Sequence, residues 1–284
     1  MSESRIRGLP IWQGEIEIEP LDGGLTNLNY KVRDGERTYA VRAGEDDVIL
    51  GIDRQNERVC ARAAADLGVA PGIAWCEGGL TVAQFIDGQA LTVETANSSD
   101  RLEQIAATLR CIHEEGVEAA SGMSKFTAFE VARSYIATAI GRGNELPGPS
   151  KSLSDELAEL ESCLPAYRPT FCHNDMMPGN VIIDESRVWI IDWEYAGCGD
   201  PCFDLAGFAS NCEFDPATEQ RWLEAYHGSV TAESERHFRI LKAMAALREC
   251  LWAVIKGEAA EIAFDYGGYR DENWEKYRAA LREV

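Results

Sequence analysis

The 284-residue chain reads as an α+β protein of two lobes with a cleft between them. Three observations carry that reading. The first third alternates with the strand period, the rest runs mostly with the helical period, and one β-hairpin pattern interrupts the helical part at 171–192. The expected division is an antiparallel, β-rich N-lobe over residues 1–86 and a mainly helical C-lobe over residues 87–284, which carries the hairpin. Clefts between lobes are where small ligands usually bind.

The elements follow in order. Glu15-Ile16-Glu17-Ile18-Glu19 alternates as a half-buried strand does. Asn29-Tyr30-Lys31-Val32-Arg33 alternates too, Asp34-Gly35 supplies a turn, and Thr38-Tyr39-Ala40-Val41-Arg42 returns. Residues 54–67 place Val59, Ala63 and Leu67 on one helical face, with Gly68 as the stop. A strand over 79–86 ends at Asp87-Gly88. Ser98 or Ser99 is the expected cap of a helix running through Leu102, Ile105, Leu109 and Ile112. Residues 126–140 and 153–164 are further helices around a loop rich in Gly, Pro and Ser, and the chain from Phe203 onward is mostly helical.

Composition narrows the function. A net charge of −21 argues against nucleic acid, because binding a phosphate backbone needs clustered Lys and Arg. The same charge suits a cationic substrate. No apolar run approaches the roughly 18 residues of a membrane span, and residues 1–10 lack the apolar stretch of a signal peptide. The nine cysteines include no Cys-x-x-Cys pair and read as reduced thiols, so the expected compartment is the cytoplasm, with no membrane partner.

The strongest signal is His173-Asn174-Asp175-Met176-Met177-Pro178-Gly179-Asn180, followed by Ile190-Ile191-Asp192-Trp193-Glu194-Tyr195. Asp175 and Asn180 fall on a loop before the strand Val181-Ile182-Ile183, and a second short strand delivers Asp192. Two carboxylates and an amide oxygen at one end of a hairpin are the donors Mg²⁺ prefers. Upstream, Leu21-Asp22-Gly23-Gly24-Leu25-Thr26-Asn27 lies between two strands. Its glycines let backbone N–H groups approach phosphates, and Thr26 and Asn27 add side-chain donors.

This order of residues resembles the catalytic segment of protein kinases, in the form found in the choline/ethanolamine kinase group of the aminoglycoside phosphotransferase superfamily. Asn174 stands where protein kinases have Arg, and Asp192-Trp193-Glu194 where they have Asp-Phe-Gly. The resemblance spans roughly residues 20–260 and implies a bilobal protein-kinase-like fold. It also implies ATP and Mg²⁺ as cofactors, Asp175 as the catalytic base, and Asn180 and Asp192 as metal ligands. Gly24, Thr26 and Asn27 would attend the phosphates. Arg42 would contact them too, paired with Glu57 on the next helix. Ala83-Gln84-Phe85-Ile86-Asp87-Gly88 matches the hinge, where Gln84 and Ile86 would offer backbone groups to adenine.

The implied acceptor is a small cationic alcohol, choline first and ethanolamine second. Thiamine or an aminoglycoside is the alternative on the same scaffold, and a nucleotide sensor without catalysis is the competing class. A quaternary ammonium is held by aromatic faces and nearby carboxylates. Glu194 and Tyr195 follow the metal Asp, and Glu249 and Trp252 lie i,i+3 on a helix. Together these four would wall the cation. Eukaryotic choline kinases carry a further Trp where this chain has Glu249, which favours either a smaller ammonium or a cage completed by other residues. His113 is read as structural, His173 as fixing the loop, and Asp204 as bracing that loop through backbone N–H groups.

Overall fold

Five strands form an antiparallel sheet in the order β1-β2-β3-β5-β4. They are β1 (Ile16–Leu21), β2 (Leu28–Asp34), β3 (Arg37–Ala43), β4 (Ile73–Glu77) and β5 (Leu80–Gln84). The computed structural model describes residues 2–21, 27–97, 101–185, 187–257 and 264–284. The β2–β3 hairpin closes at Gly35, whose φ of +60° suits a residue without Cβ. Val32, Val41 and Val82 point to one face of the sheet, where Ile6 of α1 (Ser2–Arg7) completes a small core. The other face receives α2 (Arg54–Asp66), capped by Asp53, which accepts from the N–H groups of Gln55 and Asn56.

The expected helix over 54–67 is present, but its most buried face is not the one its large residues suggest. Glu57, Cys60, Ala61 and Ala64 are buried, while Val59, Ala63 and Leu67 are only half-buried. Small side chains let the helix lie close to its neighbours, and Glu57 is drawn inward by ion pairing.

β6 (Gln89–Ala90) leaves the hinge and pairs antiparallel with β8 (Val181–Ile183), which pairs in turn with β9 (Val188–Ile190). Gly88 permits this crossing, since a Cβ there would meet the Ile183 carbonyl at 2.8 Å. The single hairpin expected over 171–192 is therefore divided. β7 (Thr170–Cys172) pairs instead with β10 (Gly197–Gly199), leaving 173–180 as a loop between two small sheets.

The C-lobe helices are α3 (Val93–Asn97), α4 (Leu102–Glu115), α5 (Ala128–Arg142), α6 (Ser150–Ser162), α7 (Pro201–Asn211), α8 (Pro216–His227), α9 (Ala232–Lys256) and α10 (Tyr266–Ala280). The proposed caps Ser98 and Ser99 lie outside the described residues. α9 is buried on every side from Ala243 to Ile255 and is the axis on which α5, α7 and α10 pack. A helix buried all round tolerates polar residues only where they are paired, and Arg248 and Glu249 are the polar residues in its buried stretch. Among the described residues, no helix is long and apolar enough to cross a membrane.

Trp222 of α8 is fully buried against Phe208 and Phe214, and its indole N–H donates to the Leu205 carbonyl at 3.1 Å. Replacing it opens a cavity and removes that bond. Trp222→Ala is expected to lower unfolding stability by about 3–5 kcal/mol, read as a reduced urea midpoint at constant m-value.

Candidate active site

The loop 173–180 is held rigidly from below. Asp204, on the buried first turn of α7, accepts from the backbone N–H groups of His173 at 2.8 Å and Asn174 at 2.6 Å. His113 Nε2 shares the same carboxylate at 3.0 Å, and its Nδ1 meets the Tyr226 hydroxyl at 2.7 Å. The expected brace is present, and His113 is structural as expected. His173 Nδ1 accepts from the Asp175 N–H at 3.2 Å and its Nε2 donates to the Ile191 carbonyl at 2.9 Å, which ties the loop to the segment carrying Asp192. Asn174 sits at φ +63° and Asp192 at φ +64°. Side chains other than glycine take this region at a cost of about 1–3 kcal/mol, and the bonds to Asp204 and Tyr195 offset it at Asn174.

Asp175, Asn180 and Asp192 line one cleft of about 670 Å³ between the sheet and the helices. The Asn180 amide N–H donates to the Asp175 carbonyl at 2.9 Å, which fixes the amide and directs its oxygen the other way. Asp192 spends Oδ1 on Arg42 at 2.9 Å. An amide oxygen and a carboxylate oxygen are hard donors, and with room for waters they fit Mg²⁺.

Arg42 contacts Glu57 through Nη2, and through Nη1 it contacts Asp192 and, at 3.3 Å, Glu194. The predicted Arg42–Glu57 pair is thus part of a larger set. Arg54, which the sequence reading passed over, donates to Glu57 at 2.7 Å, to Glu194 at 3.0 Å and to the Asn27 side chain at 2.7 Å. It lies i,i−3 from Glu57 on the same helical face, the signal that would have found it. Gly44 makes the contact possible, because a Cβ there would collide with the Arg54 guanidinium and Asn27.

Asn27 is buried and donates to Glu194 at 2.9 Å. Gly24 and Thr26 lie outside the described residues. At the hinge, the Phe85 N–H bonds to Thr38 of the neighbouring strand. Gln84 and Ile86, on either side of Phe85, both line the cleft. A second depression, of about 580 Å³, lies outside β3 and the hinge; among the described residues, Gln84 is the one predicted site residue that it includes.

The four residues expected to wall the acceptor, Glu194, Tyr195, Glu249 and Trp252, all line this cleft. Glu194 Oε2 accepts from Asn27, Arg42 and Arg54, which ties this carboxylate to the N-lobe side of the cleft that it lines. Burial and the nearby Asp192 push its pKa up, and the two guanidinium groups oppose the rise. Tyr195 lines the cleft, but Arg248 lies over its ring at 4.3 Å. Glu249 and Trp252 do face the cleft, and Tyr269 joins them. The Tyr269 hydroxyl donates to Glu249 Oε2 at 2.9 Å, and its ring stands edge-on to Trp252, centroids 6.1 Å apart. Arg248 donates to Asp175 Oδ1 at 2.7 Å. Tyr269 carried no local sequence signal, whereas Arg248 sat unremarked beside Glu249.

Comparison with known proteins agrees with this layout. The model of a phosphotransferase enzyme family matches residues 17–242. The chain is 26% identical to "Probable choline kinase 1" of Arabidopsis thaliana, over 92% of this chain and 86% of that protein. It is 26% identical to Ethanolamine kinase 2 of Mus musculus, over 94% and 77%. A crystal structure of a choline/ethanolamine kinase family protein from Mesorhizobium loti superposes with a TM-score of 0.80 at 25% identity, covering 99% of this chain and 93% of that one.

Arg54 joins the Asn27 segment, α2 and the segment after Asp192, so its loss should be felt in all three. Arg54→Met leaves Glu194 and Glu57 sharing one guanidinium and is expected to cost about 3 kcal/mol of stability. The KM for ATP should rise, which steady-state kinetics beside a denaturation curve would show.

Proposed function

The chain belongs to the phosphotransferase enzyme family, and we propose that it transfers the γ-phosphoryl group of ATP to the hydroxyl of a small amino alcohol, choline first and ethanolamine second. The observation that carries this reading is the convergence of Asp175, Asn180 and Asp192 on one cleft with Arg42 above them. The names of the relatives support the acceptor class. The nine cysteines are all free, which suits a reducing cytoplasm.

ATP bound with Mg²⁺ supplies the phosphoryl group. The chain's own part is positioning and charge placement. Asp175 keeps Oδ2 for the acceptor hydroxyl, since Oδ1 is taken by Arg248. It orients that hydroxyl and receives its proton as the oxygen attacks. The Asn180 and Asp192 oxygens would hold the metal, and Arg42 would meet the phosphates. Gln84 and Ile86 would read adenine through their backbone, with the hinge at residue 86 dividing the lobes. Trp252, Tyr269 and Glu249 give the acceptor end two rings and a carboxylate for an ammonium group.

ADP release assayed with choline, ethanolamine, thiamine, an aminoglycoside and uncharged alcohols tests the reaction and the acceptor together. Turnover is expected with the first two. Asp175→Ala and Asp192→Ala should each lower kcat by about 10²–10⁴-fold, and undiminished turnover in either variant would overturn the assignment.

The aromatic wall has its own test. Trp252→Ala is expected to raise the choline KM by about 2- to 30-fold while ATP affinity holds. A parallel fall in both affinities would mean that the ring only fills the core.

A further inference from the structure

The acceptor end of the cleft contains a buried cation, which is the wrong sign for a pocket that receives a cation. Arg248 is 3% exposed, and the protein encloses it between two carboxylates. Its Nη1 donates to Asp175 Oδ1 at 2.7 Å and to Glu249 Oε1 at 2.8 Å, so those two oxygens lie no more than 5.5 Å apart. The guanidinium also covers the face of Tyr195. Burial works against the charge, but Asp175 and Glu249 outweigh it and hold the group protonated.

Taken by themselves, Asp175 and Arg248 sum to zero charge. A neutral pair offers an incoming ammonium little net attraction, and removing the ammonium from water costs several kcal/mol. Glu249 changes the sum to one uncompensated negative charge. It is fixed in place, with Oε1 on Arg248 and Oε2 on the Tyr269 hydroxyl. Burial pushes its carboxyl pKa up, and Arg248 is the main opposing influence that favours the ionised form. Without Arg248 the pocket would hold two adjacent negative charges with nothing between them.

We propose that Arg248 and Glu249 form a charge-setting pair: Arg248 is a positioning residue that holds Asp175 and cancels its charge toward the acceptor, and Glu249 is the specificity-determining carboxylate that makes the pocket select an alcohol with one positive charge over a neutral alcohol of the same shape. The proposal rests on the reading of the acceptor as a cationic alcohol. It adds which residue reads the charge, and why a cation pocket carries an arginine.

The test compares choline with 3,3-dimethyl-1-butanol, in which carbon replaces the quaternary nitrogen. Binding of each is measured by calorimetry with Mg²⁺ and ADP present, and kcat and KM with ATP. Wild type is expected to bind choline at least about tenfold tighter than the isostere, and Glu249→Gln to lose about tenfold of that ratio with ADP affinity unchanged. Arg248→Met should split the parameters: kcat falls about tenfold or more as Asp175 loses its orienting bond, while choline KM stays level or drops. The double variant Arg248→Met/Glu249→Gln, back at one negative charge, should recover at least about threefold of the ratio lost in Glu249→Gln.

Arg248→Lys keeps the charge and guards against a folding defect; its ratio should stay within about threefold of wild type. An unmoved ratio in Glu249→Gln, no recovery in the double variant, or a collapse in Arg248→Lys with ADP binding intact would each overturn the pair. A wild type that phosphorylates no amino alcohol overturns the acceptor reading itself, whereas one that does so with these ratios unmoved overturns the pair alone.

Discussion

Arg42 touches three carboxylates from two separate stretches of chain: Glu57 on α2, and Asp192 and Glu194 on the two sides of Trp193 after the β8–β9 hairpin. Charges with this little water around them are tolerable only when paired, so the sheet, α2 and the hairpin end must come together in one arrangement. Arg54 repeats the device from the other side and draws in Asn27. The nucleotide half is thus organised by a shared requirement for counter-charge, which the apolar contacts of the sheet alone would not impose.

The acceptor half obeys the same rule with a different helix. α9 is apolar through most of its buried length and inserts Arg248 and Glu249 where Asp175 and Tyr269 can satisfy them. The loop 173–180 lies between the two charged sets. Asp204 fixes its backbone from beneath, and His173 links it to the segment that carries Asp192. Positioning of this kind is what phosphoryl transfer asks of a protein, since little of the chemistry is covalent.

Much of this was legible in the sequence, for identifiable reasons. β1 and β2 showed their period because buried and exposed residues alternate there, as Ile16 and Val32 beside Glu17 and Arg33 demonstrate. Asp175, Asn180 and Asp192 stood out because their spacing is local to one loop and one hairpin. The pairing of β7 with β10 was not legible, because three-residue strands carry no period and their partner lies beyond the hairpin. The ties that hold Glu194 were not legible either, since they run to residues far away in the sequence. Its partners, Asn27 and Arg54, are 167 and 140 residues away. Arg248 was given no role, because an arginine is not sought in a pocket expected to receive a cation.

The separation of partners along the chain bears on how the protein emerges during synthesis. The N-lobe is made first, yet Arg42 must wait 150 residues for Asp192, and His173 and Asn174 wait a further 31 and 30 for Asp204. Domains tend to fold in the order in which they leave the ribosome. A nascent N-lobe therefore carries guanidinium groups whose counter-charges are only partly made, and it has no floor for a metal. The ability to engage nucleotide productively arrives late, with α7, so a truncated chain released before that point would contain the phosphate-side residues and still be unable to consume ATP.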